Sequence, residues 1–200
     1  MNQQHQPRWT NHMNRQQFLQ RFSLQPAKGS VLLQMEKSKA AAVLVVLREY
    51  QGELQLLLTK RSSDLRHHPG QISFPGGKME ANEQSHQAAL RETHEETGIT
   101  PEQLQLIGQL PSYATGTGFL IQPWIALLSQ EVELKLQAAE VESAFWLPLS
   151  FVLDSQNIHS EYFAMHGQSH LVHFMPYGPH LIWGATAAIL YSLKQQLYFY

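Results

Sequence analysis

The stretch Gly77-Lys78-Met79-Glu80-Ala81-Asn82-Glu83, followed after seven residues by Arg91-Glu92-Thr93-His94-Glu95-Glu96-Thr97-Gly98-Ile99, decides the reading of this chain. Its second half is the clearest helix in the sequence. Asn82 is the expected N-cap, Ala88, Ala89 and Leu90 are good helix formers, and Gly98 is the expected stop. Glu92, Glu95 and Glu96 stand at i, i+3 and i+4 and so share one face, a turn apart. Carboxylates that close destabilise a bare helix by about 0.2–0.5 kcal/mol per pair. A hard divalent cation reverses that sign, because magnesium takes carboxylate oxygens and keeps waters for a substrate phosphate. A solvated acidic face is the alternative, and the triplet alone does not choose. His94, two residues from both Glu92 and Glu96, points away from them toward a surface or packing role.

The whole stretch resembles the Nudix box, G-x5-E-x7-R-E-U-x-E-E-x-G-U with U an apolar residue. Gly77, Glu83, Arg91, Glu92, Glu95, Glu96 and Gly98 fill the fixed positions, and Ile99 the last apolar one. Thr93 departs from the other apolar position; its methyl group is expected to face the core. The resemblance implies an α+β Nudix fold, a mixed β-sheet sandwiched between helices (α/β/α) with a catalytic loop–helix–loop. It also implies a hydrolase of a phosphoric anhydride that uses Mg2+ or Mn2+. Glu92, Glu95, Glu96 and the Gly77 carbonyl would hold the cation, which polarises phosphoryl oxygens and acidifies water. Arg91 would offset the acidic cluster and anchor the loop with Glu83. Gly76 and Gly77 would let the backbone turn tightly, and Gly98 the left-handed helix end. Glu95 or Glu96, or a loop acid such as Glu140, would accept the proton.

Upstream, Leu57-Leu58-Thr59-Lys60-Arg61-Ser62, Arg66, Gly70, Gln71 and Phe74-Pro75-Gly76-Gly77 follow one another. This is similar to the signature of the coenzyme A pyrophosphatase subfamily, L-L-T-x-R-S-x3-R-x3-G-x3-F-P-G-G. Glu140-Val141 before Phe145-Trp146-Leu147-Pro148-Leu149, and Ile182-Trp183-Gly184-Ala185-Thr186-Ala187, resemble the same subfamily. The implied reaction cleaves the diphosphate of coenzyme A or acyl-coenzyme A to 3′,5′-ADP and (acyl-)4′-phosphopantetheine. Lys60, Arg61, Arg66, His68 and Gln71 are the candidate substrate-binding residues, arginine being suited to bidentate phosphate contacts. Two rivals stay open. One is another nucleoside diphosphate derivative as substrate: ADP-ribose, a nucleotide sugar or NADH. The other is a Nudix-like nucleotide sensor without hydrolysis.

Composition agrees. Charged residues are only 15% of 200 and the net charge is -2, so no single-sign field holds nucleic acid or an anionic membrane. The absence of cysteine removes a thiolate nucleophile, a disulfide scaffold and Cys-ligated metals. No apolar run approaches the ~18 residues of a membrane span, and the N-terminus lacks a signal-peptide core. A cytoplasmic location, a small-molecule substrate and no membrane or nucleic-acid partner are expected; a homodimer is left open. Residues 1–13 read as a disordered polar tail and 14–200 as one domain.

The remaining pattern predicts a helix over Asn14–Leu24, a hairpin of Ala40–Leu47 with Leu54–Lys60, and short strands at Ile72–Phe74 and Phe145–Leu147. Gln105–Leu110 and Ile121–Leu128 read as strands, Tyr162–Met165 and Leu171–Met175 as a second hairpin, and Leu181–Leu197 as a terminal helix. Trp124, Trp146 and Trp183 are most simply core, with stacking of one of them on adenine left open. His159, His166, His170, His173 and His180 form no zinc spacing and are read as surface or hydrogen-bonded residues.

Overall fold

The apolar run Ala40–Leu47 has no polar face, so it must be covered on both sides. In the computed structural model, which describes residues 12–23, 38–65, 68–165 and 168–198, this run is the middle of the central sheet. The elements in chain order are α1 (Arg15–Ser23), β1 (Lys39–Tyr50), β2 (Glu53–Arg61), β3 (Ile72–Ser73), β4 (Gly76–Lys78), α2 (Ser85–Thr97), β5 (Leu104–Gln109), β6 (Tyr113–Ala114) and β7 (Phe119–Leu128). Then follow β8 (Val141–Pro148), α3 (Leu149–Leu153), β9 (His159–Met165), β10 (Gln168–Tyr177), β11 (His180–Trp183) and α4 (Gly184–Tyr198).

An eight-stranded sheet runs β3-β2-β1-β7-β5, with β4 also on β1, β6 on β7 and β8 on β2. β1 and β7 are parallel, Lys39–Leu47 against Phe119–Leu127, while β2 and β4 meet β1 antiparallel, so the sheet is mixed. Gln51 and Gly52 both have positive φ, as the two-residue turn between β1 and β2 requires.

The period of two sorts β1 into two cores. Ala42, Leu44 and Val46 meet Leu57, Ala126 and the small residues Ala88 and Ala89 of α2. Val45 and Leu47 face the other way, toward Phe18 and Phe22 of α1, Val152 of α3, and Leu190, Leu193 and Leu197 of α4. Helices thus cover both faces, as expected. A separate three-stranded sheet, β11-β10-β9, sends Met175 and Ile182 into the second core.

Several local expectations change. Pro75-Gly76-Gly77 does not simply end a strand: Gly76–Lys78 pair with Val43–Ala41, because glycines lie flat enough to join an edge. α2 is capped by Gln84, whose N–H donates to Gln87 Oε1 at 2.9 Å, and not by Asn82, which takes a φ of 67° in the preceding turn. The terminal helix begins at Gly184; Leu181–Trp183 belong to β11 and pair with β10. β8 extends well beyond Phe145–Leu147 along β2. Trp183 is not core but 44% exposed, while Trp124 and Trp146 are partly buried. Met13, placed in the tail by sequence, is 4% exposed and belongs to the second core. Residues 1–11 of that tail lie outside the described residues, as do Arg66 and His166.

Candidate active site

Two loops and one helix build the acidic site. Pairing of β4 with β1 carries Gly76 and Gly77 across the N-terminal half of β1, beside α2. A Cβ on Gly76 would stand 2.4 Å from the Ala42 carbonyl, so no larger residue fits there, and one on Gly77 would stand 2.5 Å from the carboxylate of Glu92, which would have to move. At the far end of α2, Gly98 caps the helix at φ 75° and its N–H donates to His94 O at 2.9 Å. There the segment 135–137 closes over the last turn, with Lys135 N–H on Thr97 O and Gln137 N–H on Glu96 O.

Arg91 ties the loop to the helix. Its Nε and Nη2 donate to the two oxygens of Glu83 at 2.9 and 3.1 Å, and Nη2 also reaches Lys78 O at 3.3 Å. Its Nη1 donates to Glu92 Oε1 at 2.9 Å and Glu95 Oε2 at 3.1 Å. A two-oxygen fork of this kind fixes orientation as well as charge. Hydrogen bonding to Arg91 holds the Glu83 carboxyl below its ordinary range.

Glu96 is the unusual acid. It is 3% exposed, and its Oε2 is buried without a hydrogen-bond partner. Burial pushes its pKa up to about 8; Arg61 pulls it down, and Glu92 and Glu140 push it further up. Burial likewise raises Glu92, against Arg91. Glu140 is brought in by its carbonyl, which accepts Ser62 N–H at 2.8 Å at the end of β2.

Glu92, Glu95 and Glu96 share a helix face, but their carboxylates do not converge: among the described residues no three His, Cys, Asp or Glu side chains form a ready metal cage. Arg91 holds Glu92 and Glu95, and Glu96 stands apart. The donor set nevertheless suits a hard cation. The acids are hard oxygen ligands, one buried oxygen lacks a partner, and the Gly77 backbone lies against Glu92.

The other expected residues fall into place unevenly. Thr93 is fully buried and donates from Oγ1 to Ala89 O at 2.7 Å, and His94 is exposed. The charge of Arg61 acts on Glu96. Lys60 instead pairs with Glu142 at 2.5 Å, a partner sequence did not suggest. Lys60 and Gln71 line a groove of about 580 Å³ that also holds Ser143, His180, Leu181 and Trp183. His68 is exposed, and Arg66 lies outside the described residues. His173 is buried with Nδ1 2.7 Å from Ser160 Oγ, a hydrogen-bonded histidine as expected.

Residues 38–165 match the family model of the NUDIX domain. The chain is 38% identical over 181 residues to the "Uncharacterized Nudix hydrolase NudL" of Photorhabdus laumondii subsp. laumondii, covering 90% of this chain and 96% of that one. It is 36% identical over 189 residues to the protein of the same description in Enterobacter sp. (strain 638), covering 94% and 97%. Among solved structures, a MutT/nudix family protein from Enterococcus faecalis superposes with a TM-score of 0.50 at 21% identity, over 86% of this chain and 58% of that one, a likeness of fold.

Proposed function

The chain belongs to the Nudix family of pyrophosphate-bond hydrolases, and from that premise we propose that it cleaves the diphosphate of coenzyme A and acyl-coenzyme A. The observation that carries the reading is the run from Leu57 to Gly77, whose pattern matches the coenzyme A pyrophosphatase signature and which leads straight into the acidic loop–helix. Within it Arg61 acts on Glu96, and Lys60 and Gln71 line a groove at the end of β2. A basic rim beside an acidic floor suits a polyanionic ester.

Glu92, Glu95, Glu96 and the Gly77 carbonyl would hold Mg2+ or Mn2+, which when bound polarises the phosphoryl oxygens and makes water a better nucleophile. The chain's own residues do the rest. Arg91 keeps Glu92 and Glu95 on the loop side of the helix by its bonds to both. Arg61 orients the diphosphate and offsets its charge. Glu95 or Glu96, or the loop acid Glu140, would accept the proton of the attacking water. The products are 3′,5′-ADP and (acyl-)4′-phosphopantetheine.

The test is a panel of coenzyme A, acetyl-coenzyme A, dephospho-coenzyme A, ADP-ribose, a nucleotide sugar and NADH, each incubated with protein and Mg2+, with product masses identified. Coenzyme A and its thioester should be cut fastest, at the diphosphate, and dephospho-coenzyme A more slowly. Much faster turnover of ADP-ribose or a nucleotide sugar rejects the substrate while leaving the family intact. No turnover of any of them with metal present favours the sensor.

A further inference from the structure

Five of the six large apolar side chains that stand exposed among the described residues lie on the small sheet: Tyr162 and Phe163 on β9, Leu171 on β10, and Leu181 and Trp183 on β11. β9 is an edge of that sheet. It pairs with β10 from His159 to Met165 without a bulge, and among the described residues no strand meets its other side. Exposure grows along β10 toward the hairpin's far end. Met175 is fully buried, His173 is 8% exposed and stacks on Tyr191 of α4, and Leu171 is 43% exposed opposite Tyr162 at 73%. The strand period puts these side chains on one face, so the far end of the hairpin reaches past the core. On the other face Phe163, 42% exposed, lies 5.9 Å from Phe174.

A bare edge of this kind presents a row of N–H and C=O groups that another extended chain can fill. Native edges are shielded by lysine, proline or a bulge, and His159–Met165 has none of the three. Glu161 is its one acid. The side chains left open at the edge, Tyr162 and Phe163, lie one on each face, as those flanking a seam between two strands do.

We propose that two copies of this chain join edge to edge along β9, antiparallel about a two-fold axis, so that their small sheets become one. The sequence of β9 matches itself in that arrangement. An axis through its middle sets Tyr162 beside its own copy and Glu161 opposite Phe163, so the like charges do not face one another directly. One patch serves both copies, and the contact closes at two. This self-matching favours a second copy over a foreign strand. Tyr162, Phe163 and Leu171 leave roughly 300 Å² of side-chain surface open per copy, on a scale of about 200 Å² for a whole aromatic side chain. With the backbone edge added, the area stays below the ~800 Å² per partner of a standard interface, so the dimer is weak and reversible.

The test is sedimentation velocity of the whole protein from ~1 to ~500 µM, a range that brackets a weak dimer. Wild type should pass from monomer to dimer with a Kd on the order of 1–100 µM. Tyr162→Lys and Phe163→Lys, which put a charge on the seam, should each weaken the dimer about tenfold or more. Trp183→Lys, on the same sheet but two strands from the edge, should change it less than about twofold. Amide exchange of wild type gives a readout free of substitution: the β9 amides that point away from β10 should slow as concentration rises through the transition. A wild type that stays monomeric throughout, or a dimer indifferent to both β9 lysines, overturns the proposal. So does a dimer lost with Trp183→Lys that survives the β9 changes, or β9 amides that exchange equally fast at both ends of the range.

Discussion

Glu96 is the residue at which folding and chemistry oppose one another. Its carboxyl titrates near 8 in the folded chain against about 4.5 unfolded, so the folded state keeps a proton that the unfolded state releases. The metal-free protein should therefore lose stability as pH rises from about 4.5 to 8 and level off above that. Each pH unit in the window is worth up to ~1.4 kcal/mol. Glu96→Gln removes the titration, so in EDTA its urea midpoint should match wild type near pH 4.5 and exceed it at pH 9, by about 3 kcal/mol or more in unfolding free energy. With Mg2+ the same variant should lose two or more orders of magnitude in kcat. Equal midpoints at pH 9 would mean that the buried carboxyl carries no penalty. Near-wild-type turnover would remove Glu96 from the machinery. The sequence made this acid legible as a member of the box, but not its burial. That burial comes from the Gly76 loop and the 135–140 segment, and the latter carries no pattern marking it as a lid over α2.

At the scale of elements, the loop–helix unit depends on close approach of backbone to side chain. Gly77→Ala places a methyl group against the Glu92 carboxylate, which must swing away, while Ala88 and Ala89 keep α2 on the sheet. The expected outcome is a kcat at least tenfold lower at saturating Mg2+, with a melting temperature within a few degrees of wild type. An unchanged kcat would show that Glu92 need not sit at that loop. The helix and its end at Gly98 are legible in the sequence, because charges and glycines have few alternative uses, whereas its cap at Gln84 and the pairing of Gly76–Lys78 are not. Neighbouring elements were read less well for a shared reason. Leu181–Trp183 is apolar and runs into a helix-forming segment, so nothing local separates β11 from α4; the pairing with Phe174–Pro176 does. β4 consists of two glycines and a lysine, residues of poor strand propensity, and forms because the edge of β1 is available. In both places tertiary pairing outweighs local preference.

For the whole molecule, the question is how far the domain extends toward its N-terminus. Phe18 of α1 is fully buried and stacks on Phe22 at 5.8 Å, and Phe22 lies so close to Gly108 that a Cβ there would come within 2.8 Å. α1 is thus core, and Phe18→Ala should cost about 3–5 kcal/mol, a large part of the ~5–15 kcal/mol of a typical domain. Urea unfolding measures it; a loss below about 1 kcal/mol would make α1 peripheral. The parallel pairing of β1 with β7 has a consequence in time. During synthesis the hairpin of β1 and β2 can close early, but residues 39–47 wait for residues 119–127 before the middle of the sheet exists. Contacts so distant along the chain must meet the entropy of closing a long loop before they return anything, which slows folding. Until translation has passed residue 127, the apolar run of β1 has an open edge, and the nascent chain is then most exposed to aggregation and most in need of a chaperone.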